Sequence, residues 1–92
     1  MAKDHIIDNG DGTVTVKLAT PIKIDGASTS AVLMREPTVG DQMVAAAQAK
    51  NDEAKAEVNL FGNLCNLSPE DMRSLTMRNY GRLQDGFRFF TD

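Results

Sequence analysis

Ninety-two residues fit one domain and are too few for two well-buried cores. The net charge is −3, with 10 basic and 13 acidic residues interspersed, so the concentrated basic face that nucleic-acid binding needs is missing. A single Cys excludes an internal disulfide and fits a reducing compartment, and no N-terminal apolar segment or apolar run of roughly 18 residues points to export or a membrane span.

The chain reads as one small domain, 1–92, with a flexible lead-in over 1–12, a β-hairpin region over 13–37 and a helical region over 38–92. "DNGDGT", Asp8 to Thr13, superficially resembles a calcium loop. An EF-hand loop needs oxygen ligands at positions 1, 3 and 5 and Gly at 6. With Gly12 at position 6, position 1 is Ile7; with Asp8 at position 1, positions 3 and 5 are Gly10 and Gly12. Neither register can ligate, and a solvated turn is the better reading.

"TVTVKL", Thr13 to Leu18, alternates with period two and puts Val14, Val16 and Leu18 on one face. "PIKI" continues the extended reading, with Pro21 starting a strand or marking an edge. Asp25-Gly26 supplies the positive φ values of a tight hairpin, and "TSAVLM" returns as the next strand. Such a two- or three-stranded antiparallel sheet is marginal alone and must pack on the helices or on another chain.

Thr38 is the expected cap of a helix starting near Val39, with Asp41 as the partner in a short capping box. Val39, Met43, Ala46 or Ala47 and the stem of Lys50 form the stripe expected to face the core. "KND" interrupts, and a second helix runs from about Glu53 to Asn66. Ala54, Val58, Phe61 and Cys65 form one of its rows, and Leu60, Leu64 and Leu67 continue the next, which marks it as the central helix. "LSPED" starts a short third helix ending near Leu75, with Ser68 as cap, Pro69 at the first helical position and acids at the positive end of the dipole. Asn79 is the expected cap of a last helix whose stripe is Tyr80, Leu83, Phe87 and Phe90. Phe89 lies about 100° from Phe90, so a single stripe does not easily bury all three of Phe87, Phe89 and Phe90. Phe89 then either tucks under the hairpin or serves a partner. The fold class is α+β: an N-terminal antiparallel β-hairpin or small sheet followed by three or four helices, with Val58, Phe61, Leu64 and Leu83 in the core.

At "AVLMREPTVGDQM", Ala31 to Met43, strand becomes helix. Pro37 keeps Glu36 out of helical geometry, so the chain stays extended through Arg35-Glu36 until Thr38 starts the helix. Alternation puts Arg35 and Glu36 on opposite faces, and Arg35 is expected to find a carboxylate or carbonyl partner.

"LMREPTVGDQM" resembles the "LREPTxGD" signature of the small tail assembly chaperones of contractile-tailed phages, the group typified by protein 41 of phage Mu and protein E of phage P2. The signature residues here are Arg35, Glu36, Pro37, Thr38, Gly40 and Asp41. The likeness runs in order over residues 14 to 90. Leu18, Pro21 and Gly26 match the hairpin lead-in, "NLSPEDM" the break after the central helix, and Leu75, Asn79, Tyr80, Leu83, Phe87 and Phe90 the closing helix. Asn79 departs from the pattern, which has Asp there.

The resemblance implies a non-enzymatic protein without a cofactor. Its expected partner is the tape measure protein, kept soluble before the tail tube polymerises around it. A frameshifted longer form of the protein itself and the tail tube protein are further partners the resemblance implies, and self-association stays open. It also implies a place in the host cytoplasm and absence from the mature virion. A helix-in-groove contact suits such a partner, and Leu83, Phe87, Phe89 and Phe90 are the residues expected to make it. The alternative is a small structural or adaptor protein of the tail or baseplate. An enzyme finds little support: His5 is the only His, in a lead-in read as frayed, and Cys65 lies on an apolar row as a buried, inert thiol.

Overall fold

The computed structural model describes residues 4–92. Three strands, β1 (Ile6–Asp8), β2 (Thr13–Ile24) and β3 (Ala27–Arg35), precede four helices, α1 (Val39–Ala49), α2 (Glu53–Cys65), α3 (Pro69–Ser74) and α4 (Met77–Thr91). The sheet is antiparallel throughout, in the order β1-β2-β3. Asp25 and Gly26, at φ 52° and 82°, make the two-residue turn between Ile24 and Ala27. Both angles are those of a type I′ hairpin, whose twist matches the strands it joins.

Register follows burial. Val14 pairs with Met34 and Val16 with Val32, and all four side chains are buried on one face. Leu18 joins them. Helices α2 and α4 cover that face, contributing Leu60, Phe61, Leu64 and Cys65 from α2 and Leu83 from α4. Phe61 sits at the centre, its ring 5.5 Å from that of Tyr80 and 5.4 Å from that of Phe87. Helix α4 comes so close to the sheet that a Cβ at Gly86 would lie 2.9 Å from Val16 Cγ2 and 3.3 Å from Met34 Sδ. Val58, expected in the core, is half-buried against it.

The expectations for the N-terminal stretch and for two helices are corrected. The stretch 1–12 is not a loose lead-in where it is described: β1 pairs Ile6 with Val16 and Asp8 with Val14, and residues 1–3 lie outside the described residues. His5 is accordingly not frayed. Its Nε2 lies 2.7 Å from Asp85 Oδ2 on α4, and its carbonyl accepts from Lys17 N–H. Pro21 does not start a strand; it sits inside β2, where the register to β3 shifts between Lys17 and Ile22, and it marks an edge, the other of the two readings. There β2 has run beyond β1, which spares Pro21 one of the ladders its missing N–H would interrupt.

Two further corrections concern the helices. Thr76, not Asn79, caps α4, its hydroxyl accepting from Asn79 N–H. Asn79 instead turns inward and is completely buried. In α1 the buried residues are Ala45 and Ala49, packed against α2, while Val39, Met43, Ala46, Ala47 and Lys50 are exposed. The stripe is real in the sequence, but α1 docks through the adjacent face. Two alanines let α1 lie close to α2, and a bulkier Val-Met face would hold it off.

Candidate functional site

The strand-to-helix signature folds into a closed polar unit. Thr38 Oγ1 accepts from Asp41 N–H at 3.1 Å, and Asp41 Oδ2 accepts from Thr38 N–H at 2.9 Å, a complete capping box. The same carboxylate takes both arms of Arg35, at 2.6 and 2.8 Å. Arg35 thus has the carboxylate partner expected of it, and Asp41 ties the end of β3 to the start of α1. The Arg35 guanidinium first, and the Thr38 N–H second, hold the Asp41 carboxyl well below the usual carboxylate range. Arg35 is shifted upward in turn by its bond to Asp41.

The other signature residues play different parts. Glu36 is exposed and donates its backbone N–H to Gly12 O, which fastens the strand end to the β1–β2 turn. Pro37 is half-buried. Gly40 is not there for want of room, because a Cβ at that position would meet only Thr38 Oγ1, at 3.6 Å. The signature therefore aims α1 and presents no reactive group of its own.

Beside it lies an open groove of about 580 Å³ between α1, α2 and α4. Ala45 and Ala46 form one wall, Leu60 and Phe61 the floor, and Phe87 with Gln84 the other wall. Glu57 lies between floor and wall, accepting from Tyr80 Oη and Gln84 Nε2, each at 2.9 Å. Burial, reinforced by the bond to Glu57, pushes the Tyr80 hydroxyl upward, so it remains a hydrogen-bond donor.

The four residues expected to face a partner separate. Leu83 is completely buried and belongs to the core, which corrects its reading as a contact residue. Phe87 packs on Phe61 while lining the groove. Phe90 is half-buried, and Phe89 is 41% exposed, standing edge-on to Phe90 with ring centroids 5.4 Å apart. Phe89 is therefore not tucked under the hairpin. Of the four, Phe87, Phe89 and Phe90 reach the surface.

The residues considered for chemistry are engaged structurally. Cys65 is buried, and burial pushes its thiol up to about 12. His5 is paired with Asp85, which also accepts from Arg88 at 3.0 Å. Asp8 and Asp11 accept bonds within their own turn, from Gly10 N–H and from the Thr13 N–H and hydroxyl, as a solvated turn requires. Among the described residues no group of three or more His, Cys, Asp and Glu could hold a metal ion, and no helix is long and apolar enough to cross a membrane.

A small sheet backed by helices, with an open apolar groove and an exposed aromatic side chain on another face of α4, has the character of a protein-binding module. The family model of phage tail assembly chaperone proteins, E, or 41 or 14, matches residues 15–92, from β2 through the signature, the groove and all four helices. The chain belongs to this family of tail assembly chaperones. The match is to the family as a whole and does not single out the Mu or P2 member. No curated protein and no solved structure matches the chain.

Two features of this surface were missed in the sequence. Thr76 carried a usable signal, since a threonine three residues before Asn79 repeats the spacing of Thr38 and Asp41. The groove carried none: its walls come from three helices whose relative placement no local pattern encodes.

Proposed function

We propose that this protein is a tail assembly chaperone that binds the tape measure protein and keeps it soluble in the host cytoplasm while the tail is built. It is left behind when the virion is complete. The observation that carries the reading is the α1–α2–α4 groove, apolar along its floor, with the exposed Phe89 as a second apolar surface on another face of α4. A long tape measure helix exposes an apolar stripe before assembly. Phe61 and Phe87 offer it a floor and a wall in a helix-in-groove contact, and Phe89 a separate contact on the far side of α4.

The test is co-expression of this chain with the tail gene products, followed by pull-down and a solubility assay of the tape measure protein. A soluble complex is expected. Phe89→Asp should weaken it while leaving the circular dichroism spectrum unchanged, because Phe89 is a surface residue. A tape measure protein that is equally soluble alone, with no complex formed, would sink the reading. Detection of the chain in purified virions would favour a structural or adaptor role instead.

A further inference from the structure

Helix α1 carries an apolar face that the other described residues leave uncovered. Val39 is 79% exposed and Met43 67% exposed, and Ala46 and Ala47 are exposed beside them. These residues recur at helical spacing, and Lys50 closes the same row at the end of the helix. Single exposed apolar residues are ordinary; a continuous stripe on a helix that docks through its neighbouring face is not.

The charges at the two ends of this stripe say what covers it. Between Val39 and Ala47 the stripe carries no charge. Asp41, the one acid within the helix, is bound to Arg35. At the C-terminal end stands Lys50, exposed; just before the N-terminal end stands Glu36, exposed. Neither takes part in an ion pair among the described residues. An uncharged centre with a base at one end and an acid at the other is self-complementary under a two-fold axis. Two α1 helices laid antiparallel bring each Lys50 to the other copy's Glu36 end, and they oppose the helix dipoles favourably. The small side chains at Ala46 and Ala47, near the middle, allow the helices to approach, with Met43 of each copy packed across the axis.

We propose that this face is an isologous interface through which two copies of the chain associate by their α1 helices. The eleven-residue α1 is about 16 Å long, and its stripe covers less than the roughly 800 Å² per partner of a standard stable interface. The dimer is therefore weak and forms with rising concentration. It does not rest on tape measure binding: Met43 and Lys50 do not line the groove assigned to that partner, and Ala46 alone of the stripe lies on both surfaces.

Sedimentation equilibrium of the full chain over a concentration series up to about 1 mM tests it, a range that reaches interactions of only about −4 kcal/mol. A reversible monomer–dimer equilibrium is expected. Met43→Glu should raise the dissociation constant at least tenfold. The decisive measurement is a charge swap. Lys50→Glu and Glu36→Lys should each weaken the dimer several-fold, and the chain carrying both should recover most of the wild-type affinity. A chain that stays monomeric across the series overturns the proposal. So does a dimer indifferent to Met43→Glu, or a double variant no better than the singles. Circular dichroism of each variant guards against unfolding, and the swap recovers only if the fold is intact.

Discussion

The side chain of Asn79 on α4 grips the backbone of Thr20 on β2 from both sides. Its Oδ1 accepts from Thr20 N–H at 3.1 Å and from Ala19 N–H at 2.8 Å, and its Nδ2 donates to Thr20 O at 2.8 Å. Ala19 and Thr20 lie where the β2–β3 register shifts and the ladder does not pair them. A buried amide with both a donor and an acceptor can satisfy such a backbone unit without water. This accounts for the complete burial of a polar residue in the core.

Asn79→Ala should therefore be costly. It deprives three backbone groups of their partners, and each group left unsatisfied costs about 1–3 kcal/mol where water cannot replace the bond. Denaturant unfolding is expected to show a loss of about 2–4 kcal/mol, discounted because Thr20 is at the surface and can recruit water. Thr76→Ala, which removes only the cap of α4, should cost about 1 kcal/mol. Equal losses for the two would mean that Asn79 acts mainly on the helix start.

The Arg35–Asp41–Thr38 unit gives a pH signature. The Asp41 carboxyl lies well below its ordinary range in the folded chain and returns to about 3.9 in the unfolded one. The unfolded state binds the proton more readily, so this contribution is complete above about pH 3.9 and is lost as pH falls through the folded value. Arg35 is nearly half exposed, so solvent and salt keep the contribution small. Thr38→Ala should cost about 1 kcal/mol at neutral pH. Asp41→Asn should flatten the acid limb of the stability curve relative to wild type; an unchanged limb would remove Asp41 from the account.

Gly86→Ala tests the closeness of α4 to the sheet. In an open helix the change would gain about 1 kcal/mol of propensity. Here the new Cβ would meet Val16 Cγ2 at 2.9 Å, in a side chain that is itself fully buried and has no free space to yield. Overpacking of this kind costs about 1–3 kcal/mol, so a net destabilisation is expected. Gly81→Ala, on the same helix with nothing within 4 Å of its Cβ, should be neutral or stabilising. A rise in Tm for Gly86→Ala would show that α4 sits farther from Val16.

Cys65 should be unreactive in the native state. Its thiol is buried and raised to about 12, so the thiolate is scarce at pH 8. A disulfide reagent is expected to label the chain at a rate set by opening of the fold, and to label denatured chain at once. Fast labelling of native protein would mean that α2 is exposed at its C-terminal end.

Much of this architecture was legible in local pattern. Val14, Val16 and Leu18 alternate because a half-buried strand must. Asp25-Gly26 turns because both residues tolerate positive φ. Thr38 and Ser68 start helices because a side-chain oxygen three residues before an acid satisfies orphan N–H groups. These are nearest-neighbour effects, written in a few consecutive residues. The signature around Pro37 carried the family as well.

The tertiary structure decided what local pattern leaves degenerate. Asn79 reads as a cap in the sequence; the outcome fell to β2, whose break in register around Pro21 left backbone groups that the inward amide satisfies. Helix α1 offers two faces, one of Val and Met and one of alanines, and hydrophobicity alone favours the first. Close approach to α2 selected the second, because packing rewards fit of shape and not apolar content alone. His5 and Asp85 are 80 positions apart in the chain, and only the placement of α4 against the sheet brings them together. The groove belongs to the same category, since it is a space between helices, and a sequence specifies such a space only through the packing of everything around it.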